Sequence, residues 1–185
     1  PILPPIIEAK AKDTGHTPGK IIVYLPFEDA KDVIKLLTPF KDFEFHVYNP
    51  GGAISTQGES AHIEVKGLSR AGFQADFSDC VGVISNAGFE LPSESLHLGK
   101  KLLVKPLHGQ IEQRSNALAL QQLGLAEVMD DLDAATIERW LAKDVTHLIR
   151  FPDVAESVVD WLLQGKLEIQ QSWIEELWGR TERII

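Results

Sequence analysis

The chain has 185 residues, enough for one domain with a small appendage, and its 44% hydrophobic and 24% charged residues exclude long disorder. Eighteen basic against 27 acidic residues give a formal net charge of -9, which argues against a broad electrostatic grip on nucleic acid and leaves room only for a local phosphate site. The single cysteine, Cys80, excludes an intrachain disulfide and fits a reducing compartment.

The longest apolar run, Ile21–Leu25, is far short of the ~18 residues of a membrane span. The start Pro1-Ile2-Leu3-Pro4-Pro5 lacks the basic region and long apolar core of a signal peptide. The only methionine is Met129; loss of an initiator, or excision from a longer protein, would each account for a start at Pro1.

Residues 1–19 read as a linker, with Pro1, Pro4, Pro5 and Pro18 and no periodicity. Ile21–Leu25 then reads as a strand buried on both faces. Ala30, Val33, Ile34 and Leu37 form one helix stripe. Phe43–Tyr48 is the next strand, stopped by Asn49-Pro50-Gly51-Gly52 and followed by a polar loop over 51–60. His62–Val65 is a short strand and Arg70–Ser78 a short helix. Val81–Ser85 is a strand, residues 89–98 a helix, Leu102–Lys105 a strand and residues 110–123 a helix with Gly124 just past its end. Leu125–Met129 is the last strand.

Only helices are expected after that. Asp133 caps the first, with Leu132 and Ile137 as a hydrophobic staple. Pro152 suits the first turn of the second, which carries Val154, Val158, Trp161 and Leu162. The third carries Ile169, Trp173 and Leu177. The tryptophans are expected to pack this tail onto the sheet, or in part to face another domain. The pattern predicts an α/β fold: a Rossmann-like parallel sheet of about six strands, helices on both faces and a helical C-terminal tail. Ligands in such folds sit at the carboxyl ends of strands.

Two loops at those ends carry usable chemistry. Val81–Ser85 runs into Asn86-Ala87-Gly88-Phe89-Glu90, where a glycine permits close approach and the following helix offers free N–H groups, a phosphate seat without a basic side chain. Glu94 could accept two hydrogen bonds from a ribose diol, or be an ordinary exposed helical carboxylate. After the next strand come His108, Gln110, Glu112, Gln113 and Asn116. Gln113 and Asn116 share a helix face and suit either sugar hydroxyls or backbone capping. The histidines show no metal-ligand spacing, and Cys80 reads as a core residue.

Ser85-Asn86-Ala87-Gly88, Ser93-Glu94, Gly99, Pro106, Gln110, Gln113 and Asn116-Ala117, taken in order, resemble the donor-nucleotide motif of GT-B glycosyltransferases. The stretch is similar to the lipid-linked N-acetylglucosamine transferases of peptidoglycan synthesis and to related bacterial and archaeal glycosyltransferases. Val23-Tyr24-Leu25-Pro26-Phe27-Glu28 is similar to the latter group. Asn86-Ala87, Leu91 and Glu112 depart from the pattern, and the first loop lacks its usual glycines.

The resemblance implies that residues 20–130 form a nucleotide-sugar-binding domain, that 1–19 link it to an N-terminal acceptor domain, and that the helical tail 131–185 packs on it. Gly88 with the N–H groups of Phe89 and Glu90 would seat a diphosphate, and Asn86 would stand beside it. Glu94 would hold the ribose, and Leu68 and Ser69, in the loop Lys66–Arg70, would flank the base. Gln113 and Asn116 would meet the sugar or its phosphates, with His108, Gln110 and Glu112 nearby; loop 25–28 would line the phosphate side. The implied reaction moves a hexosyl group from a nucleotide-diphosphate sugar, with UDP the expected nucleotide, without a metal or other cofactor. The general base would lie on the other domain, so this chain alone would transfer nothing. The implied setting is the cytoplasm, with peripheral contact of the whole protein at the inner membrane face. A nucleotide-sugar epimerase of the same fold, for which Glu90 is the loop acid, and a non-catalytic binding module are the alternatives.

Overall fold

The computed structural model describes residues 2–8, 16–144, 146–165 and 168–184; the rest of the expected linker, Pro1 and 9–15, lies outside the described residues. Strands and helices alternate in the expected order: β1 (Lys20–Tyr24), α1 (Ala30–Leu37), β2 (Glu44–Asn49), β3 (Ile63–Gly67), α2 (Arg70–Asp79), β4 (Gly82–Asn86), α3 (Glu90–His97), β5 (Lys101–Lys105), α4 (Ile111–Gln122) and β6 (Glu127–Val128). The six strands form one parallel sheet in the order β3-β2-β1-β4-β5-β6.

Side chains alternate across β1, so one strand feeds two cores. Ile21 and Val23 pack with Val33 and Leu37 of α1. Ile22 packs on the opposite face with Phe77 of α2, Leu96 of α3 and Ala117 of α4. The chain reverses its direction of travel across the sheet between β1 and β4. That reversal opens a crevice at their carboxyl ends, where a ligand can enter. Helices α3 and α4 start at that end and finish at the opposite edge of the sheet, where Gly99 and Gly124 take the left-handed conformation just past them, with φ of 65° and 67°.

Helix α5 (Ala134–Leu141) begins as expected, with the Asp133 carboxylate accepting from the N–H groups of Ala135 and Thr136 at 3.2 and 3.0 Å. It lays Ile137 and Trp140 on the α1 face of the sheet. Trp140 fits because position 82 is glycine: a β-carbon there would stand 2.9 Å from Ile21 Cδ1 and 3.0 Å from Trp140 Cη2.

The tail departs from an all-helical reading. Leu148–Arg150 (β7) and Glu182–Ile184 (β8) pair as a small antiparallel sheet flanking α6 (Val154–Leu163) and α7 (Gln171–Gly179). Pro152 stands before α6 rather than in its first turn, because Asp153 is the cap, accepting from the Glu156 N–H at 2.8 Å. Ile169 precedes α7 and is exposed, while Ile174 and Leu177 are its buried residues. Of the tryptophans only Trp140 enters the sheet's core. Trp161 and Trp173 stack on each other with centroids 5.7 Å apart, and Trp178 is 42% exposed. Cys80 is fully buried, and burial pushes its thiol up to about 11, as befits a core residue. No helix among the described residues is long and apolar enough to cross a membrane.

Candidate functional site

The crevice at the β1/β4 reversal widens into a cavity of about 860 Å³ between α2 and α3. Its walls include Tyr24, Tyr48 and Phe73 on one side and Leu91 and Leu98 on the other. The Phe73 ring meets Tyr48 edge-on at 5.0 Å and Tyr24 at 5.9 Å, which fixes a rigid aromatic wall. Leu68 and Ser69 at the start of α2 and Glu90 and Glu94 on α3 also line the cavity, so four of the site residues expected from sequence meet in it, from opposite sides. Ser69 is partly committed: its hydroxyl caps α2 by accepting from the Gly72 N–H at 3.1 Å.

Glu94 is half-buried on α3. Burial raises its carboxyl above the ordinary range, against a lowering hydrogen bond from the backbone N–H of Glu8; the charges of Glu8 and Glu90 raise it further. It is therefore a desolvated carboxylate with capacity for further donors.

Asn86, Gly88 and Phe89 form the turn that opens α3. Its cap residue, Phe89, supplies no side-chain hydrogen bond, so the first N–H groups of the helix have no side-chain acceptor. A β-carbon built at Gly88 would meet no atom within 4 Å, and its φ is not positive. Neither packing nor backbone strain requires glycine there; the space above it is open. Beneath this turn Asn86 Nδ2 donates to the Lys105 carbonyl at 2.9 Å, while its buried Oδ1 has no partner.

The second loop plays a different part. Gln113 Oε1 accepts from the Leu107 N–H at 3.0 Å, and Asn116 Nδ2 donates to the Ala87 carbonyl at 3.1 Å. Both amides thus fasten the loops around the α3 turn. His108 is exposed and pairs with Asp131 at 3.1 Å. Gln110 is the residue before α4 and caps nothing, and Glu112 is exposed in its first turn. None of these residues lines the cavity.

The sequence of this stretch matches the family model "Glycosyl transferase family 1" over residues 1–144. The chain belongs to that family. No curated protein matches it by sequence. Three solved structures share the fold: the glycosyltransferase SnogD from Streptomyces nogalater (19% identity, TM-score 0.51, 85% of this chain against 39% of that one), the glycotransferase of kitacinnamycin (14%, 0.56, 86% against 43%) and the spinosyn rhamnosyltransferase SpnG complexed with thymidine diphosphate (13%, 0.53, 76% against 42%). Family and fold together make this a GT-B glycosyltransferase domain. It spans about two fifths of the length of these structures.

Two groups in this glycosyl transferase domain escape sequence reasoning. Lys105, at the carboxyl end of β5, is 4% exposed and pairs with Glu28 of the β1–α1 loop at 2.7 Å. A charged residue closing an apolar strand before Pro106 was the available signal. Glu8, inside the proline-rich start, reaches the cavity wall and meets Arg70 at 2.5 and 2.8 Å. Nothing local marks it.

Proposed function

We propose that this chain is the donor-binding half of a glycosyltransferase, holding a nucleotide-diphosphate sugar whose hexosyl group passes to an acceptor on a second domain. The observation that carries the reading is the uncapped start of α3 with open space over Gly88, set beside a cavity that contains the half-buried Glu94. The cavity has room for a nucleoside. Its aromatic wall suits a base, and Glu94 suits the ribose diol. The diphosphate would then lie over Gly88, on N–H groups that carry the positive end of a helix dipole.

In the transfer, the bond between the anomeric carbon and the diphosphate oxygen breaks, and its electron pair stays on the diphosphate. An acceptor oxygen bonds to that carbon and gives its proton to a base on the second domain. What this chain contributes is preorganised stabilisation of the leaving diphosphate's growing charge. Leu68, Phe27, Phe89 and Ile111 all stand exposed on the loops at this end of the sheet, 52% to 84%, a rim suited to closure by that domain. UDP is the expected nucleotide, and the chain alone is expected to bind without transferring.

The test is a calorimetric titration with UDP, TDP, GDP and ADP. Selective binding of one diphosphate, weakened in Glu94→Ala, supports the reading. Binding of none, or binding indifferent to Glu94, counts against it.

A further inference from the structure

Strand β4 lies between β1 and β5, so β1 and β5 stand two strand spacings apart, about 10 Å. Lys105 and Glu28 close that distance. Side chains alternate along each strand, and Ile84 of β4 and Leu103 of β5 belong to the core on the α1 side. Two residues further on, Asn86 and Lys105 face the same side, at the carboxyl ends of their strands. From there the Lys105 ammonium crosses the end of β4 and meets Glu28 at 2.7 Å, in the β1–α1 loop one residue before the cap of α1. The Lys105 carbonyl accepts from Asn86 Nδ2 at 2.9 Å, at the root of the turn that opens α3. One residue thus ties both loops beside the β1/β4 crevice to a single strand end. We infer that Lys105 is a positioning residue for the donor diphosphate, its carbonyl holding the Asn86–Phe89 turn and its ammonium, through Glu28, holding the Pro26–Glu28 loop at the spacing the diphosphate needs.

The inference rests on the donor-site reading and adds to it. Stability does not call for a lysine here. Taking two charges out of water offsets most of their attraction, and apolar residues of similar size would hold the fold as well. What the pair adds is a fixed meeting point for two segments. The loop needs one: Leu25-Pro26-Phe27-Glu28 has no glycine and is neither helix nor strand. It is closed by a turn in which the Glu28 N–H donates to the Leu25 carbonyl at 3.1 Å, and Phe27 within that turn is exposed. On the other side, Asn86 Oδ1 is buried without a partner, so the bond to the Lys105 carbonyl is what orients this amide. A buried acceptor left open is a cost that the fold alone does not explain.

The test titrates the full chain, Lys105→Met and the double variant Glu28→Leu with Lys105→Met against two ligand series, UDP, UMP and uridine, then TDP, TMP and thymidine, beside thermal unfolding. Lys105→Met keeps the carbonyl and leaves Glu28 without its cation. It is expected to weaken the diphosphate about tenfold, the scale of one hydrogen bond to a charged group, the monophosphate less, and the nucleoside by no more than about twofold. The double variant is expected to recover the melting temperature lost in Lys105→Met, because an apolar pair replaces a buried ion pair at little cost, without recovering diphosphate affinity. It serves alone if Lys105→Met does not fold. A residue that only supports the fold would behave otherwise: affinity would return with stability, and nucleoside and diphosphate would weaken alike. Diphosphate and nucleoside weakened by one factor or not at all in Lys105→Met, or native diphosphate affinity in the double variant, with Glu94→Ala still impaired, overturns the inference alone. A chain that binds neither UDP nor TDP, or an unimpaired Glu94→Ala, overturns the donor-site reading and the inference with it.

Discussion

Two polar clusters lie on the same side of the sheet, and they are built on opposite rules. Under α2, Asp76 accepts from Lys20 at 2.8 Å, Lys66 at 2.8 Å and Tyr48 at 2.6 Å, with His46 Nδ1 at 2.9 Å. Lys20 also reaches Asp79 at 2.8 Å. Those partners hold the Asp76 carboxyl far below the usual range against a burial that would raise it, and the same bond with burial pushes the Tyr48 phenol up. At the α3 turn the reverse holds. The helix start has no side-chain cap, Asn86 Oδ1 has no partner, Gly88 has nothing above it, and Glu94 is desolvated with its carboxyl held high. A saturated cluster spends its hydrogen bonds on the fold. An unsaturated one keeps them for something that arrives later.

The contrast predicts different failures. Asp76→Ala removes the acceptor shared by Lys20, Lys66 and Tyr48, leaving Lys20 with Asp79 and Lys66 with the exposed Glu64, and is expected to cost about 3 kcal/mol of stability, read by thermal or urea unfolding. The nucleotide affinity of the protein that remains folded should fall less than in Glu94→Ala, through Tyr48 alone, whose hydroxyl loses its acceptor while its ring stays against Phe73. Glu94→Ala is expected to do the opposite, lowering affinity about tenfold or more for the loss of hydrogen bonds to a charged group while leaving the melting temperature unchanged or slightly raised. Gly88→Ala has the smallest expected effect on the fold, within about 0.5 kcal/mol, because its β-carbon meets no protein atom. It should still weaken diphosphate binding measurably, by filling the space over the N–H groups.

Acid separates the clusters without any mutation. Asp76 has a lowered carboxyl, so its stabilisation is complete above the unfolded value of about 4 and is lost only as pH falls below that toward its folded value. Glu94 has a raised carboxyl, so its ionised, ribose-accepting form is lost earlier on the way down, and protonation there relieves a cost to the fold. There should be a window on the acid side in which circular dichroism shows a folded chain and calorimetry shows weakened binding. Coincident loss of both would collapse the distinction.

Much of the fold was legible because it is locally written. Short apolar runs separated by helix stripes mark all six parallel strands to within a few residues, and Asp133 announces its helix by side-chain chemistry alone. The β7–β8 pair was not legible, since Leu148–Arg150 and Glu182–Ile184 are three residues each and pair across two helices. The Asp76 cluster was equally hidden. Its members come from β1, β2, β3 and α2, and only the folded sheet gathers them. At the candidate site, Gly88 and Glu94 could be singled out because a turn before a helix has a recognisable form. Gln113 and Asn116 have the right types and spacing for ligands, yet the structure ties both to backbone. An amide's partner depends on which loop folds against it, which spacing does not encode. Glu8 carries no signal beyond its place among prolines.

The central claim is that the unsaturated cluster is a nucleotide-diphosphate seat. The most direct test is calorimetric titration of the chain and its Glu94→Ala variant with UDP, TDP, GDP and ADP at neutral pH. The account predicts selective binding of one diphosphate by the native chain and about tenfold or greater weakening in the variant. Absence of binding to all four, or equal binding by both proteins, would contradict it.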